Sequence, residues 1–411
     1  MIEPQHRRLF VTLFSLFAVY GTSFTIIGAT LPKILADFKW SYLAAGIVIG
    51  AGAVAYFVFT YAAGHLVKRY GPRTVFLLGL GSIVAGLAFF ATAADPLSNT
   101  VLSAVIGAGQ GCIEIGVNWT TLRIDTRHSG RPMNLIHGAF AVGAIAGPLA
   151  VSVLIASDIG WVLVFRGIAA IFALLAVVVV LTPLPDAGSE ETAEAGAAEP
   201  AHQSAAYWLA FGALLLYVGV ELGVSNWVAE YFSRVFAYSA AAGAFLVSVF
   251  WFGVLAGRFG IPLLYKGERH GRLLIAFSAL AAGALIALTL LGYAASSGTP
   301  AGVGQVLVFL VGLGCSIYYP TVITLIGKCF PRAQSQAVGF AATGGGIGAF
   351  AFPFVMAWLA EEWGIKAGFI FYATFAVAMT VVAARLASAA ARTGTQSADA
   401  PVIPVHDNQQ G

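Results

Sequence analysis

Three polar side chains lie at helical spacing within one long apolar stretch of the sequence. Gln110, Glu114 and Asn118 follow one another at intervals of four residues, so a helix places them on one face. The surrounding stretch, 100–122, is long and apolar enough to cross a bilayer. A charged side chain in hydrocarbon costs about 2.5–3.5 kcal/mol, so it normally faces protein or a water-filled cavity. We therefore expect this face to line a polar cavity inside a membrane protein.

Two acids deep in apolar stretches could couple a solute to protons. Removal from water favours the neutral form of a carboxyl group, so a buried glutamate can bind a proton near neutral pH and release it when water arrives. Glu114 is the first candidate for proton coupling and Glu221 the second. Glu221 could instead bind sodium or accept a hydrogen bond from a solute. The structural alternative for both is a hydrogen bond to a neighbouring helix.

Other polar and aromatic residues could bind a solute that carries several hydroxyl groups. Amides offer donors and acceptors for hydroxyls, aromatic rings can stack on sugar faces, and His137, near the start of the fifth span, could bind a solute or move protons. Packing and interhelical hydrogen bonding are the alternatives. The predicted solute-binding residues are Gln110, Asn118, Asn134, His137, Asn226, Trp227, Tyr318, Tyr319 and Tyr20.

Membrane-spanning helices must position these residues. Of 411 residues, 59% are hydrophobic and 9% are charged, whereas a soluble domain has about 25% charged residues. The apolar runs have the spanning length of a helix, about 20 residues, and lack the alternation of β-barrel strands. We predict an all-α membrane protein in a lipid bilayer. With a net charge of +3 and no metal-ligand spacing, we expect no nucleic-acid partner, cofactor or metal.

Twelve spans are predicted, in two groups of six. Their approximate cores are 10–31, 41–64, 74–94, 99–122, 134–157, 162–182, 206–230, 239–264, 272–294, 302–327, 335–360 and 366–388. The predicted divisions are an N-terminal six-helix bundle at 1–183, a cytoplasmic linker at 184–205, a C-terminal six-helix bundle at 206–390 and a disordered cytoplasmic tail at 391–411. The linker is rich in Ala, Glu, Gly and Pro and cannot bury an apolar core.

The lysines and arginines predict the orientation of the chain. With the N-terminus in the cytoplasm, sixteen of them lie inside and five outside. An excess of Lys and Arg marks cytoplasmic loops, so we predict a multi-pass protein of the cell (inner) membrane with both termini in the cytoplasm. Arg69, Arg73 and Arg123 fall on the cytoplasmic side, where we expect them to anchor loops and form gating ion pairs.

The two halves repeat weakly. VIGAGQGCIEIGVNWTTL in the fourth span aligns with VFLVGLGCSIYYPTVITL in the tenth, which pairs Asn118 with Thr321 and Glu114 with Ile317. GAIAGP in the fifth span aligns with GAFAFP in the eleventh. Equivalent positions in both halves are typical of transporters built from two repeats. We therefore expect a roughly symmetric fold with an asymmetric distribution of charge.

Two sets of motifs resemble known families. GHLVKRYGPR, Gly64 to Arg73, resembles the G-x-L-x-D-R-x-G-R-K loop of the major facilitator superfamily, with Lys68 in place of the acid. GCIEIGVNW, RPMNLIHGAFAVGAIAGP and LLYVGVELGVSNWVAEYF resemble the fucose–proton symporter group and its glucose-transporting relatives. The resemblance covers the whole chain. It implies two pseudo-symmetric six-helix bundles, a proton-carrying acid at Glu114 and a sugar-site residue at His137.

The sequence thus predicts a secondary transporter for a sugar or a similar polyhydroxylated solute that works by alternating access. We expect a monomer with proton-coupled symport through Glu114, and sodium is the alternative ion. The fucose symporters also have an acid in the first span, where Gly28 stands here.

Three other functions are alternatives to this prediction. A proton-coupled efflux antiporter for drugs or metabolites is the main alternative, because GAIAGP partly matches the antiporter G-x-x-x-G-P motif. A transporter-fold receptor is another. The lack of a catalytic motif in the sequence argues against an enzyme.

Overall fold

The computed structural model describes residues 3–125, 131–185, 204–265, 270–294, 301–330 and 333–398, and these contain helices and no strand. The first five long helices are α1 (Arg7–Phe38), α2 (Tyr42–Phe89), α3 (Pro96–Ile124), α4 (Arg131–Ala156) and α5 (Val162–Val180). The remaining helices are α6 (Ala205–Val235), α7 (Ala240–Leu264), α8 (His270–Ala294), α9 (Ala301–Cys315), α10 (Tyr318–Cys329), α11 (Gln334–Trp363) and α12 (Ile365–Ala398).

The described helices account for all twelve predicted spans. Eleven helical segments of the described chain are long and apolar enough to cross a membrane, and α9 and α10 together form one of them. The 48-residue α2 is too long for one crossing of a bilayer, which takes about 20 residues. Its backbone leaves the helical conformation at Gly71, where φ is 80° and the next residue is Pro72. Because a side chain would strain that conformation, glycine allows the chain to turn there, and α2 consists of two helices, spans two and three, joined at this residue.

Several helices begin at a side chain that caps free backbone amides. The Ser41 hydroxyl accepts a hydrogen bond from the Ala44 amide at the start of α2. At the start of α3 the Asp95 carboxylate accepts one from the Ser98 amide at 2.8 Å, and this bond holds the pKa of Asp95 below its usual value. Such caps set the helix starts at the ends of apolar runs.

Helices of each half pack mainly on one another, and the halves meet along a few helix pairs. In the first half α1 packs on α4, and α2 on α3 and α5; in the second, α6 packs on α11, and α8 on α9 and α12. The halves meet where α2 packs on α11 and where α4 packs on α7. The predicted linker lies almost wholly outside the described residues, so the bundle boundaries stay predictions. Helix α12 continues to Ala398, past the predicted boundary at 390.

Glycines bring corresponding helices of the two halves into close contact. A Cβ atom on Gly107 of α3 would collide with the carbonyl oxygen of Gly52 on α2. A Cβ atom on Gly312 of α9 would collide in the same way with the carbonyl oxygen of Phe250 on α7. The two contacts join equivalent spans, the fourth to the second and the tenth to the eighth. Close backbone approach at glycine therefore defines the structural repeat.

These glycine contacts correct the alignment of the fourth and tenth spans. Gly107 corresponds to Gly312, a shift of two residues from the alignment based on sequence identity. Glu114 then corresponds to Tyr319 and not to Ile317. The corrected register is the same as that of GAIAGP and GAFAFP in the fifth and eleventh spans. The predicted pairing was wrong because it matched the shared G-x-G-C segments, whereas the equivalent positions are those whose glycines touch equivalent helices.

Candidate functional site

The Glu114 carboxyl group is held by tyrosines from two other helices. The hydroxyl groups of Tyr20 on α1 and Tyr56 on α2 both donate to Glu114 Oε2, at 2.8 and 2.7 Å. Glu114 is partly exposed, and within the described chain its Oε1 atom makes no hydrogen bond. Tyr20 is only 1% exposed, so it positions Glu114 and does not itself line the cavity. The free oxygen is available to a proton or a solute hydroxyl.

A cavity next to this glutamate lies between α1, α2, α3, α6 and α11. Its volume, including the open side, is about 610 Å³. Gln110 Nε2 donates to Ser23 Oγ at 3.0 Å in its wall. The polar lining residues are Ser23, Tyr56, Ser103, Gln110 and Asn226, and the apolar ones include Phe24, Ile27, Ile49, Ile106 and Leu222.

A second acid forms a cluster in the other half. The Tyr217 hydroxyl donates to Glu221 Oε1 at 2.6 Å, and Arg258 Nη2 lies 3.8 Å from the same oxygen. Arg258 Nε donates to the Ser316 carbonyl oxygen at 3.3 Å, in the break between α9 and α10. Arg258 is one of the sixteen Lys and Arg residues predicted to lie on the cytoplasmic side, and its pairing with Glu221 was not predicted. The available signal was a single arginine inside the eighth span.

Equivalent tyrosines of the two halves donate hydrogen bonds to the two acids. A Cβ atom on a glycine of the fifth span would meet the carbonyl of Ala18, and one on the matching glycine of the eleventh span would meet that of Leu215. Tyr20 and Tyr217 each come two residues after these contacts, so they correspond. Each donates to a glutamate, although the glutamates lie on non-equivalent helices. The tyrosines therefore follow the repeat and the acids do not.

His137 lies beside the Glu114 cluster. Its ring packs edge-on against Phe17 at 5.3 Å between centroids, and Phe17 stacks on Tyr20, which donates to Glu114. The structure thus brings His137 near the predicted proton site. The side chain of Asn134, one turn earlier, lies outside the described residues.

Some predicted solute-binding residues do not face the cavity. Tyr318 is fully buried and its hydroxyl donates to the Met379 carbonyl oxygen. Trp227 is also fully buried and packs against Tyr42, and its Nε1 atom has no partner among the described residues. We correct these two assignments to packing, because both rings are enclosed by neighbouring helices.

Two other predicted binding residues remain near the site in different ways. The Asn118 Oδ1 atom is buried without a hydrogen-bond partner in the described chain. Tyr319 is 39% exposed and packs against Tyr217 at 6.4 Å between ring centroids. Of the two tyrosines predicted on α10, Tyr319 therefore remains a candidate.

The predicted gating arginines make contacts within the first half. Arg73 donates to the carbonyl oxygens of Val180 and Thr182, at 3.0 and 3.1 Å, and so caps the end of α5. Arg69 lies over the ring of the adjacent Tyr70, and Arg123 lies over Trp119, one turn away. The contacts of Arg73 are those of a loop anchor, whereas a gate between the halves would need a partner on α6–α12.

A set of contacts joins the halves at one end of the molecule. The Glu361 carboxylate of α11 accepts hydrogen bonds from the amides of Tyr42 and Leu43 at the start of α2, at 2.7 and 3.3 Å. The Tyr42 hydroxyl donates to Glu230 of α6, which pairs with Arg234 at 2.7 Å. We call Tyr42, Glu230, Arg234 and Glu361 the Tyr42 closure. It lies beyond the cavity, beside the turns that join α1 to α2 and α6 to α7.

Paired sets of spanning helices around a polar cavity, with one end held closed, define a membrane transporter. The family comparison agrees. The sequence model of the Major Facilitator Superfamily matches residues 13–304 and 267–406, and the chain belongs to this superfamily. It is a transporter and not an enzyme, and the predicted all-α major facilitator fold is confirmed.

Known proteins of this kind resemble the chain over most of its length. A glucose/galactose transporter of Brucella abortus is 25% identical over 379 residues, which cover 86% of this chain and 88% of the relative. The crystal structure of the nucleoside transporter NupG covers 93% of this chain and 99% of its own, with a TM-score of 0.76 and 12% identity. The fucose:proton symporter FucP of E. coli has the same coverages, with a TM-score of 0.61 and 21% identity. These relatives agree with the resemblance to the fucose and glucose group.

Proposed function

We propose that this protein is a secondary active transporter that moves a sugar or a similar polyhydroxylated solute with a proton, by symport through Glu114. The observation that carries the proposal is the Glu114 carboxyl, held by two phenol hydroxyls with one oxygen free beside a polar cavity. The Brucella relative is named a glucose/galactose transporter, and FucP is named a fucose:proton symporter. These names support both the solute class and the coupling ion.

The cavity suits a solute with several hydroxyl groups. Ser23, Gln110 and Asn226 present hydroxyl and amide groups that can donate and accept. The ring of Phe24 provides an apolar face among them. A sugar alternates polar rims and apolar faces in the same way, so this mixed lining supports a sugar carrier.

The proton coupling rests on Glu114 because the first span has no room for a second acid at Gly28. A Cβ atom on Gly28 would lie 2.7 Å from the Cα atom of Asn226, since α1 and α6 touch there. A carboxylate side chain would force the two helices apart. Glu221 is the second acid of the site, and its partner Arg258 offsets its charge.

Alternating access links the coupling to transport. In the proposed orientation, in the cell inner membrane with both termini cytoplasmic, the Tyr42 closure is on the outer side. The cavity is then reached from the cytoplasm. Proton binding to Glu114 changes which of the two states is favoured, and a ligand can shift such an equilibrium only through its different affinity for the two states.

Reconstituted proteoliposomes test this function. Uptake of a radiolabelled monosaccharide panel is measured with an imposed pH gradient, with a sodium gradient, and as exchange without a gradient. We expect the pH gradient to drive accumulation by the wild type. Glu114→Gln should keep exchange within about twofold, because the amide preserves shape and polarity, and should lose accumulation. Asp158→Asn, an exposed acid in the α4–α5 turn, is the control and should behave as wild type.

Three outcomes would contradict the proposal. Accumulation by Glu114→Gln equal to that of wild type removes Glu114 from coupling. A response to sodium and not to protons replaces the coupling ion. An absence of exchange for every sugar, with a correctly folded protein, removes the solute class.

A further inference from the structure

An arginine inside a membrane span has an unusual setting in this protein. Arg258 lies within α7, and its side chain is 28% exposed, while that of its partner Glu221 is 8% exposed. Ionisable residues at such depth normally pair with one another and mark solute or ion pathways. The proposed function uses Glu114 and the polar cavity and leaves Arg258 without a role.

The contacts of Arg258 use only part of the hydrogen-bonding capacity of its guanidinium group. Its Nη2 atom is 3.8 Å from Glu221 Oε1, which is longer than a hydrogen bond. Its Nε atom donates to the Ser316 carbonyl oxygen at 3.3 Å, and the group also interacts with the Tyr217 hydroxyl. A guanidinium has five N–H donors in a flat fork that matches the two oxygens of a carboxylate. Part of the fork is therefore exposed and can donate hydrogen bonds to a second carboxylate.

The surroundings place this fork at the candidate site. Tyr217, which donates to the Glu221 oxygen nearest Arg258, packs against the partly exposed ring of Tyr319 at 6.4 Å between centroids. On the same helix as Glu221, Leu222 and Asn226 line the cavity beside Glu114. The Glu221–Arg258 pair is thus next to the wall of the cavity that the solute enters.

We propose that Arg258 binds a carboxylate on the solute, so that the transporter carries sugar acids, such as uronates or aldonates, in addition to neutral sugars. This inference rests on the proposed function and names a further solute class for the same site. The hydroxyl groups of the acid bind in the cavity as those of a neutral sugar do, and its carboxylate replaces Glu221 at the guanidinium.

Charge balance requires that such an acid enter with a proton. Arg258 offsets Glu221, and a second carboxylate at Arg258 would leave one negative charge unpaired, which is costly inside a protein. One proton on Glu221 restores the balance, and the carboxylate and the proton together carry no net charge. The titratable or charged groups that face the Tyr217–Gly223 stretch from packed helices are Arg258 on α7, Cys315 on α9, Tyr318 and Tyr319 on α10 and Tyr372 on α12.

A carboxylate fits this balance better than a phosphate. A phosphate monoester carries about 1.5–2 negative charges at pH 7, so one proton on Glu221 would not compensate it. A sugar phosphate therefore tests whether the site prefers a carboxylate or binds any anionic sugar.

The test uses the full-length protein in proteoliposomes with D-glucuronate, D-glucose and D-glucose 6-phosphate. For the wild type we expect glucuronate to inhibit glucose uptake, and we expect its own uptake to follow the pH gradient. With the coupling proton on Glu114 as well, each glucuronate moves one net positive charge, as each glucose does, so both uptakes should respond alike to a membrane potential set with potassium and valinomycin. Glucose 6-phosphate should compete at least tenfold less well.

Variants of Arg258 separate binding from folding. Arg258→Gln should weaken glucuronate competition at least tenfold more than it weakens glucose exchange, and Arg258→Lys should restore part of the competition, because a single charge remains without the fork. Arg272→Gln, an exposed arginine at the start of α8, is the control. If Arg258→Gln does not fold, the wild-type competition and the equal response of the two uptakes to membrane potential decide the question.

The experiment distinguishes failure of the carboxylate site from failure of the proposed function. Glucose exchange without any glucuronate competition, or an equal loss of both solutes in Arg258→Gln, overturns the carboxylate site and leaves the sugar carrier standing. Stronger competition by the sugar phosphate than by glucuronate also overturns it. Loss of exchange for every sugar in the folded wild type overturns the proposed function itself.

Discussion

One oxygen of Glu114 accepts both phenol hydroxyls, and the other accepts none within the described chain. Hydrogen bonds to a charged group contribute about 1.5–3 kcal/mol each, so the carboxyl group has a fixed orientation. Its other oxygen remains available to a proton or a solute hydroxyl. A glutamate held in this way combines a defined position with access, which is what a coupling residue requires.

Replacement of His137 should weaken solute binding. His137→Ala removes a ring nitrogen that can bond a solute hydroxyl, and one net hydrogen bond of about 1 kcal/mol corresponds to roughly fivefold in affinity. Isothermal calorimetry with a transported sugar measures the change. His65→Ala, at an exposed histidine of α2, is the control. Equal affinity in His137→Ala and wild type would assign His137 to packing against Phe17.

At the residue level, the sequence predicted the acids better than their partners. The four-residue spacing in one span was sufficient to place Gln110 and Glu114 together. It could not predict that Tyr56 and Arg258 would reach the two acids from other helices, because such contacts depend on tertiary packing. Trp227 was misassigned for the opposite reason: aromatic residues of a span can face either the cavity or the core, and spacing does not distinguish these environments.

At the level of elements, Arg73 stabilises the end of α5. It donates to two terminal carbonyl oxygens that have no partner within their helix. Arg73→Ala should lower the free energy of unfolding by about 1–2 kcal/mol, seen as a drop in melting temperature in detergent. Arg69→Ala, whose side chain lies over Tyr70, should melt as the wild type does. A normal melting temperature combined with altered solute access from one side would favour a gating role instead.

The helices themselves were predictable, and their joints were less so. Apolar length and composition were enough to locate twelve spans, since a bilayer demands about 20 apolar residues per crossing. The tight joint at Gly71, where spans two and three meet without a loop, could not be predicted from length, because a charged segment resembles a loop whether or not it is helical. The repeat register also escaped sequence alignment, because it depends on which glycine touches which carbonyl, as at Gly107 and Gly312.

At the level of the whole molecule, the Tyr42 closure should control the balance between the two access states. Glu361→Ala removes the acceptor of two amides at the start of α2 and so weakens the closed end. A loss of about 1 kcal/mol would raise the open population roughly fivefold. The measurement is the labelling rate of Ile49→Cys, a cavity position, by an impermeant maleimide added on the side of the α1–α2 turn.

The neighbouring acid provides a matched control for this measurement. Glu362→Ala, at an exposed position of the same helix end, should leave the labelling rate unchanged. An unchanged rate in Glu361→Ala would show that the packing of Gly46 against Ala357 is sufficient to hold this end shut.

The interruption between α9 and α10 has no counterpart in α3, which is continuous over the equivalent span. A short helix joined through two residues can swivel, while an unbroken one must move as a rod. Arg258 donates to the carbonyl oxygen of Ser316 at this joint. A solute that binds to Arg258 or leaves it should therefore shift the joint. We therefore expect departure of the solute to begin with a small roll of α10 that carries Tyr319 aside, ahead of any rocking of the larger bundles.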